Sequence, residues 1–91
     1  MDRHEAAESI RRYVDLGIPT GGFLRAVLAN DLMEAVGRAD ESSLLHLADI
    51  CRFVYNDIPS NVHGSYARVD AHIAAKYADR EKGVAHADPR D

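Results

Sequence analysis

The stretch Leu16-Gly17-Ile18-Pro19-Thr20-Gly21-Gly22-Phe23-Leu24 decides how this chain folds. It reads as a helix stop followed at once by a helix start. Gly17 can take the left-handed conformation that closes a helix, Ile18 supplies the apolar contact that follows such a cap, and Pro19 blocks continuation. Thr20 is the expected N-cap of the next helix. Upstream, Ala6, Ala7, Ile10, Tyr13 and Val14 recur at helical spacing, so residues 3–16 form a first helix. Glu5, Glu8, Arg11 and Arg12 fill its other face, acidic early and basic late, in the sense the helix dipole favours.

Downstream, Leu24, Val27, Leu28, Leu32, Ala35 and Val36 make the stripe of a second helix running to about residue 38. Asn30 and Asp31 interrupt it. They read either as a polar pair for a ligand or as a buried hydrogen bond fixing helix packing. Asp40 is the expected N-cap of a third helix. Its stripe is Leu44, Leu47, Ala48, Cys51, Val54, Tyr55 and Ile58, and it ends near Asp57 because Ile58 precedes Pro59. Ile50 and Phe53 lie off that stripe and widen the apolar surface, which suggests either a helix buried on two sides or a subunit or partner interface. After the connection at residues 59–64, Ser65 caps a fourth helix over 66–80, with Tyr66, Val69, Ile73 and Tyr77 as its core line. No strand pattern is present. The expectation is an all-α, compact four-helix protein, one domain over 1–82, with short connections and a disordered tail over 83–91.

At 91 residues the chain has a marginal core by size alone, which favours oligomerisation. The formal charge of -4, from 11 Lys+Arg against 15 Asp+Glu, argues against non-specific DNA binding. Nine of the eleven basic residues are Arg, which suits local pairing with phosphates. The single cysteine, Cys51, permits no internal disulfide and no Cys-based zinc site, and reads as a small buried hydrophobe. No apolar run has membrane-span length and the N-terminus is polar, so a cytoplasmic protein is expected. No metal, cofactor or catalytic residue is expected. His4-Glu5-x-x-Glu8 lacks the second His of a zinc protease, and His46 and His72 are expected on helix surfaces with no ligand partner one turn on.

If sequential helices are antiparallel neighbours, the starts of helices two and four meet at one end. Each start presents free N–H groups and partial positive charge, so their meeting would hold an anion. The candidate ligand-binding residues there are Thr20, Gly21, Gly22, Phe23 and Arg25 from one segment, and Asn61, His63, Gly64, Ser65 and Arg68 from the other. Gly22 admits close approach to the backbone, the hydroxyls and Asn61 donate hydrogen bonds, Phe23 offers a ring for stacking, and the arginines add charge. The competing reading makes Thr20 and Ser65 plain caps and the glycine pair an easing of a tight turn. Neither a P-loop nor a G-x-G-x-x-G pattern is present.

Ile18-Pro19-Thr20-Gly21-Gly22-Phe23-Leu24, Ala26-Val27-Leu28, Asn30-Asp31-Leu32, Tyr55-Asn56, Pro59 and Gly64-Ser65 together resemble a widespread family of small phage-encoded proteins. The likeness spans residues 10–73. Where that pattern carries an aromatic before the Gly-Ser, this chain has His63. The family is similar to the phage anti-CBASS sponges, small helical oligomers that sequester cyclic nucleotide signals of host immunity. The resemblance implies a stoichiometric, non-enzymatic binder of a cyclic oligonucleotide or other phosphate-bearing signal, acting in the cytoplasm of an infected bacterium. The residues alone also admit an interaction module that inhibits or scaffolds a host protein. A small hydrolase using Asp31 and His63 is a third reading, and no spacing ties those two groups together.

Overall fold

The computed structural model describes the backbone of residues 1–86 and the side chains of residues 1–81. Its helices are α1 Arg3–Leu16, α2 Gly22–Leu28, α3 Leu32–Arg38, α4 Glu41–Leu45, α5 Leu47–Asp57 and α6 Tyr66–His86, with a 3-10 turn at Ser60–Val62 before α6. No strand occurs among the described residues. The all-α class therefore holds. The count of four does not, because the second and third expected helices are each broken into two. The fourth runs past Arg80 to His86, and the rest of the expected tail, 87–91, lies outside the described residues.

Helix α1 has the expected limits. Asp2 accepts the Glu5 N–H at 2.8 Å while the Glu5 carboxylate accepts the Asp2 N–H, a reciprocal cap. Gly17 closes the helix at φ 70, its N–H donating to the Tyr13 carbonyl at 2.8 Å. The second helix stops at Leu28 for a reason of the same kind. Asn30 is left-handed at φ 62; its N–H donates to Val27 O, and that of Asp31 donates to Ala26 O. This is a Schellman ending with Asn in place of Gly. Asp31 then accepts the Glu34 N–H at 3.4 Å and starts α3. The polar pair Asn30-Asp31 is thus a stop and a start. The third expected helix bends at His46, whose ring Nδ1 lies 2.8 Å from the Ser42 carbonyl. Asp40 caps α4 as expected, accepting the Ser43 N–H at 2.7 Å.

The bend at His46 turns α5 about its axis relative to the expected stripe. Ile50, Val54 and Ile58 face the core, with Phe53 packed against it. Tyr55, expected inside, is 83% exposed, and Leu44 is exposed. Ile50 is buried within its own chain and Phe53 packs against the same core, so of the two expectations for this surface burial holds and an exposed Ile50–Phe53 interface patch does not form. Exposed apolar residues are found instead along α3 to α5, at Leu32, Met33, Val36, Leu44, Leu45 and Tyr55. On α6, Val69 is buried and Ile73 half-buried, whereas Tyr66 and Tyr77 are exposed.

The core joins Ala6, Ile10 and Tyr13 of α1 to Leu24 and Leu28 of α2, Ile50 and Val54 of α5, and Val62 and Val69. Tyr13 is its polar anchor. The ring is fully buried and its hydroxyl donates to the Val62 carbonyl at 2.6 Å. Burial pushes the phenol up to about 12, so it stays a donor at any ordinary pH. That bond ties the 3-10 turn to α1. His72 stands edge-on to the Tyr13 ring, with Nε2 2.9 Å from the Tyr13 carbonyl and 3.0 Å from that of Val14. It is a half-buried contact between α1 and α6, where a surface position was expected. No helix among the described residues is long and apolar enough to cross a membrane.

Candidate functional site

The break at Asn30-Asp31 changes which ends meet. Because α2 stops at Leu28 and its ending turn takes up the Ala26 and Val27 carbonyls, the Leu28 carbonyl is left for another segment, and the Gly64 N–H donates to it at 2.6 Å. The start of α6 therefore meets the end of α2. Further along, Arg25 pairs with Asp70, and Gly17 packs on Lys76 and Ile73. The two helices run antiparallel, and about 10 Å of α2 separates Gly22 from Gly64. The expected meeting of two helix starts does not form, and the ten candidate residues fall into two groups.

The first group surrounds the start of α2. Thr20 is not the cap: Gly21 occupies that position with no side-chain bond, and the Thr20 hydroxyl donates to the Gly21 carbonyl at 3.2 Å. A recess of about 260 Å³ opens beside it, lined by Gly22, Arg25, Glu34, Arg38 and Tyr66. A second, of about 250 Å³, lies between Gly21, Gly22, Phe23 and the Met1 and Asp40 region. A Cβ on Gly22 would come within 2.8 Å of Arg38 Nη1, so glycine keeps this wall open. Phe23 is half-buried and packs against the core, which leaves Tyr66 as the ring on the recess.

Charge in this recess is already organised. Arg25 grips Asp70 through both terminal nitrogens, at 2.7 and 3.2 Å, and lies 4.9 Å above the Tyr66 ring. That hydrogen bond holds the Asp70 carboxyl below its ordinary value. The Tyr66 hydroxyl donates to Asp31 at 2.7 Å, which raises the phenol. Arg38 pairs with Glu34 through Nε. Guanidinium has five N–H donors, so both arginines retain donors beyond these pairs.

The second group surrounds the start of α6. Ser65 caps it as expected, accepting the Arg68 N–H at 3.1 Å. The Arg68 guanidinium turns back onto the connection, donating to the Ser60 and His63 carbonyls at 3.2 and 3.3 Å. It fastens the loop and crowds Gly64, which sits at φ 111. His63 Nε2 is 3.3 Å from the Ile58 carbonyl, and Asn61 is exposed in the 3-10 turn. His63 and Gly64 line an apolar groove of about 390 Å³ with Val27, Asn30, Cys51 and Tyr55. Burial raises the Cys51 thiol, the opposite of what a nucleophile needs.

Asp31 and His63 share no hydrogen bond. Asp31 serves Tyr66 and Glu34, and His63 serves the loop. Among the described residues no three metal-ligating side chains converge. Sequence reasoning missed Arg38 and Tyr66 as members of the recess. The i, i+4 pair Glu34–Arg38 was visible, but only the α2–α3 elbow folds it back over Gly22. No family model matches the chain, and neither the curated proteins nor the solved structures yield a match.

Proposed function

We propose that this protein is a non-catalytic binder that sequesters a phosphate-bearing signal of the cyclic oligonucleotide class, as its resemblance to the phage sponges implies. The observation that carries the reading is the recess at the start of α2. It combines an uncapped helix start without side chains at Gly21 and Gly22, spare donors on Arg25 and Arg38, and the exposed Tyr66 ring. Phosphate suits the first two, and a base suits the third.

Each recess is below the ~300 Å³ at which small-molecule sites begin. A cyclic dinucleotide would therefore need a wall from a second chain. Leu32, Met33, Val36, Leu44 and Leu45, exposed on α3 and α4, supply an apolar seam for that association. The same residues favour the second reading, docking onto a host protein. Sedimentation separates the two: a homo-oligomer supports the sponge, and a monomer favours a foreign partner.

The test is a melting screen against cyclic di- and trinucleotides with linear controls. At 100 times its dissociation constant a ligand adds about 2.7 kcal/mol of stability, roughly 10–20 °C for a chain this size. A shift with intact ligand recovered supports sequestration. The proposal fails if no nucleotide moves the melt, and altered nucleotide after incubation would make the protein an enzyme.

A further inference from the structure

One cavity lies away from all ten candidate residues. It is a cleft of about 440 Å³ between α1 and α5, lined among others by Arg3, Ala7, Arg11, Arg52, Phe53 and Asn56. Arg3, Ala7 and Arg11 share one face of α1 at four-residue spacing, about 12 Å from end to end. The small alanine between two arginines leaves the hollow open. Arg52 pairs loosely with Asp49, at 3.8 Å. Arg3 and Arg11 have no carboxylate within ion-pair distance among the described residues. In an acidic chain three guanidiniums thus face two lining carboxylates, Asp49 and Asp57, and two of the three are unpaired. The Arg11 guanidinium lies 5.4 Å above the Phe53 ring. Phe53 is itself held against the core, so the guanidinium is braced on one side and open on the other.

We infer that this cleft is a second binding site, for a small organic phosphate carrying a flat ring. The phosphate sits on Arg3 and Arg52, where charge-assisted hydrogen bonds replace water. The ring stacks on the open face of the Arg11 guanidinium, a role for which a planar cation is suited and an ammonium is not. Asn56 offers an amide donor and acceptor to a polar ring edge. The volume falls within the range of small-molecule sites, unlike either recess beside Gly22.

The probe is 1-naphthyl phosphate, titrated into isotope-labelled protein, with inorganic phosphate and naphthalene-sized neutral alcohol as half-ligands. The amides of Ala7, Arg11, Phe53 and Asn56 are expected to shift together and saturate, and neither half-ligand is expected to match the whole. Arg11→Gln, an exposed position whose fold is checked by its unchanged amide spectrum, is expected to weaken binding roughly tenfold, the loss of the planar cation on which the ring stacks. Arg11→Lys is expected to recover little, because it restores charge without a plane. Gly22→Val is expected to leave this titration unchanged, which separates it from the site at α2. Shifts confined to other surfaces, full binding by Arg11→Gln, or full recovery by Arg11→Lys would overturn the assignment.

Discussion

Replacing Gly17 by Ala tests the turn from which the whole arrangement follows. Two costs add. Gly17 sits at φ 70, ψ 22, where an L side chain costs about 1–2 kcal/mol. The new methyl would also sit well inside van der Waals contact of Lys76 Cβ and 3.0 Å from its Cγ. The Lys76 Cβ is fixed to the α6 backbone and cannot swing aside, so α6 or the turn must move, at a cost typical of overpacking, about 1–3 kcal/mol. Lower unfolded-chain entropy returns up to about 1 kcal/mol. The net loss is about 1–5 kcal/mol, centred near 3, out of the roughly 5–14 expected for a chain this size. At that central value the melting temperature should fall by roughly 12–24 °C. Urea unfolding followed by far-UV circular dichroism measures it, with Gly37→Ala as control. No atom lies within 4 Å of a methyl at Gly37, so that variant should be neutral or more stable by up to about 1 kcal/mol. A loss below about 1 kcal/mol for Gly17→Ala would refute both the turn and its packing on α6.

Three further outcomes are expected. Tyr13→Phe removes the donor to the buried Val62 carbonyl and should cost about 1–3 kcal/mol in urea unfolding, more than a phenol at the surface would. Ile50→Ala should cost about 2–5 kcal/mol and leave the oligomeric state unchanged, because Ile50 is 1% exposed within one chain; a change in assembly with little loss of stability would contradict that burial. In acid, Asp40 and Asp70 matter. The Ser43 backbone N–H lowers Asp40 and the Arg25 side chain lowers Asp70, both from an ordinary 3.8. Their stabilisation is therefore complete above about pH 4 and lost as the pH falls through the depressed values. Melting temperature should drop below pH 4, and Asp40→Asn should flatten that drop; an unchanged slope would show the carboxylate is not held.

Local signals were legible where one residue type carries the physics. Gly17 before Pro19, Asp40 before a helix, Ile58 before Pro59 and Ser65 before Tyr66 all mark boundaries that the fold has. The elbow at Asn30-Asp31 was legible in principle. Asn tolerates the left-handed conformation, and Asp31-x-x-Glu34 is a helix-start pattern. The apolar stripe, which resumes at helical spacing at Leu32, Ala35 and Val36 after that interruption, masked both. The bend at His46 has no comparable signal, and it decides the register of α5. That is why Tyr55 and Ile50 exchange the places their spacing suggests. The candidate site suffered most, since its geometry depends on parity. One unrecognised break moves the start of α6 from the start of α2 to its end. The residues of each segment keep their local roles, as Ser65 does, while the partner across the recess becomes Arg38 and Tyr66.

Whether the open backbone at Gly22 receives the proposed phosphate-bearing ligand is tested by calorimetric titration of wild type and Gly22→Val with a panel of cyclic dinucleotides. The valine would reach Arg38, a flexible side chain able to move toward solvent, so the fold should persist while the recess fills. Wild type is expected to bind at least one cyclic dinucleotide saturably, and Gly22→Val to lose that binding at unchanged helicity. Equal binding by both proteins, or none by either, would contradict the proposal.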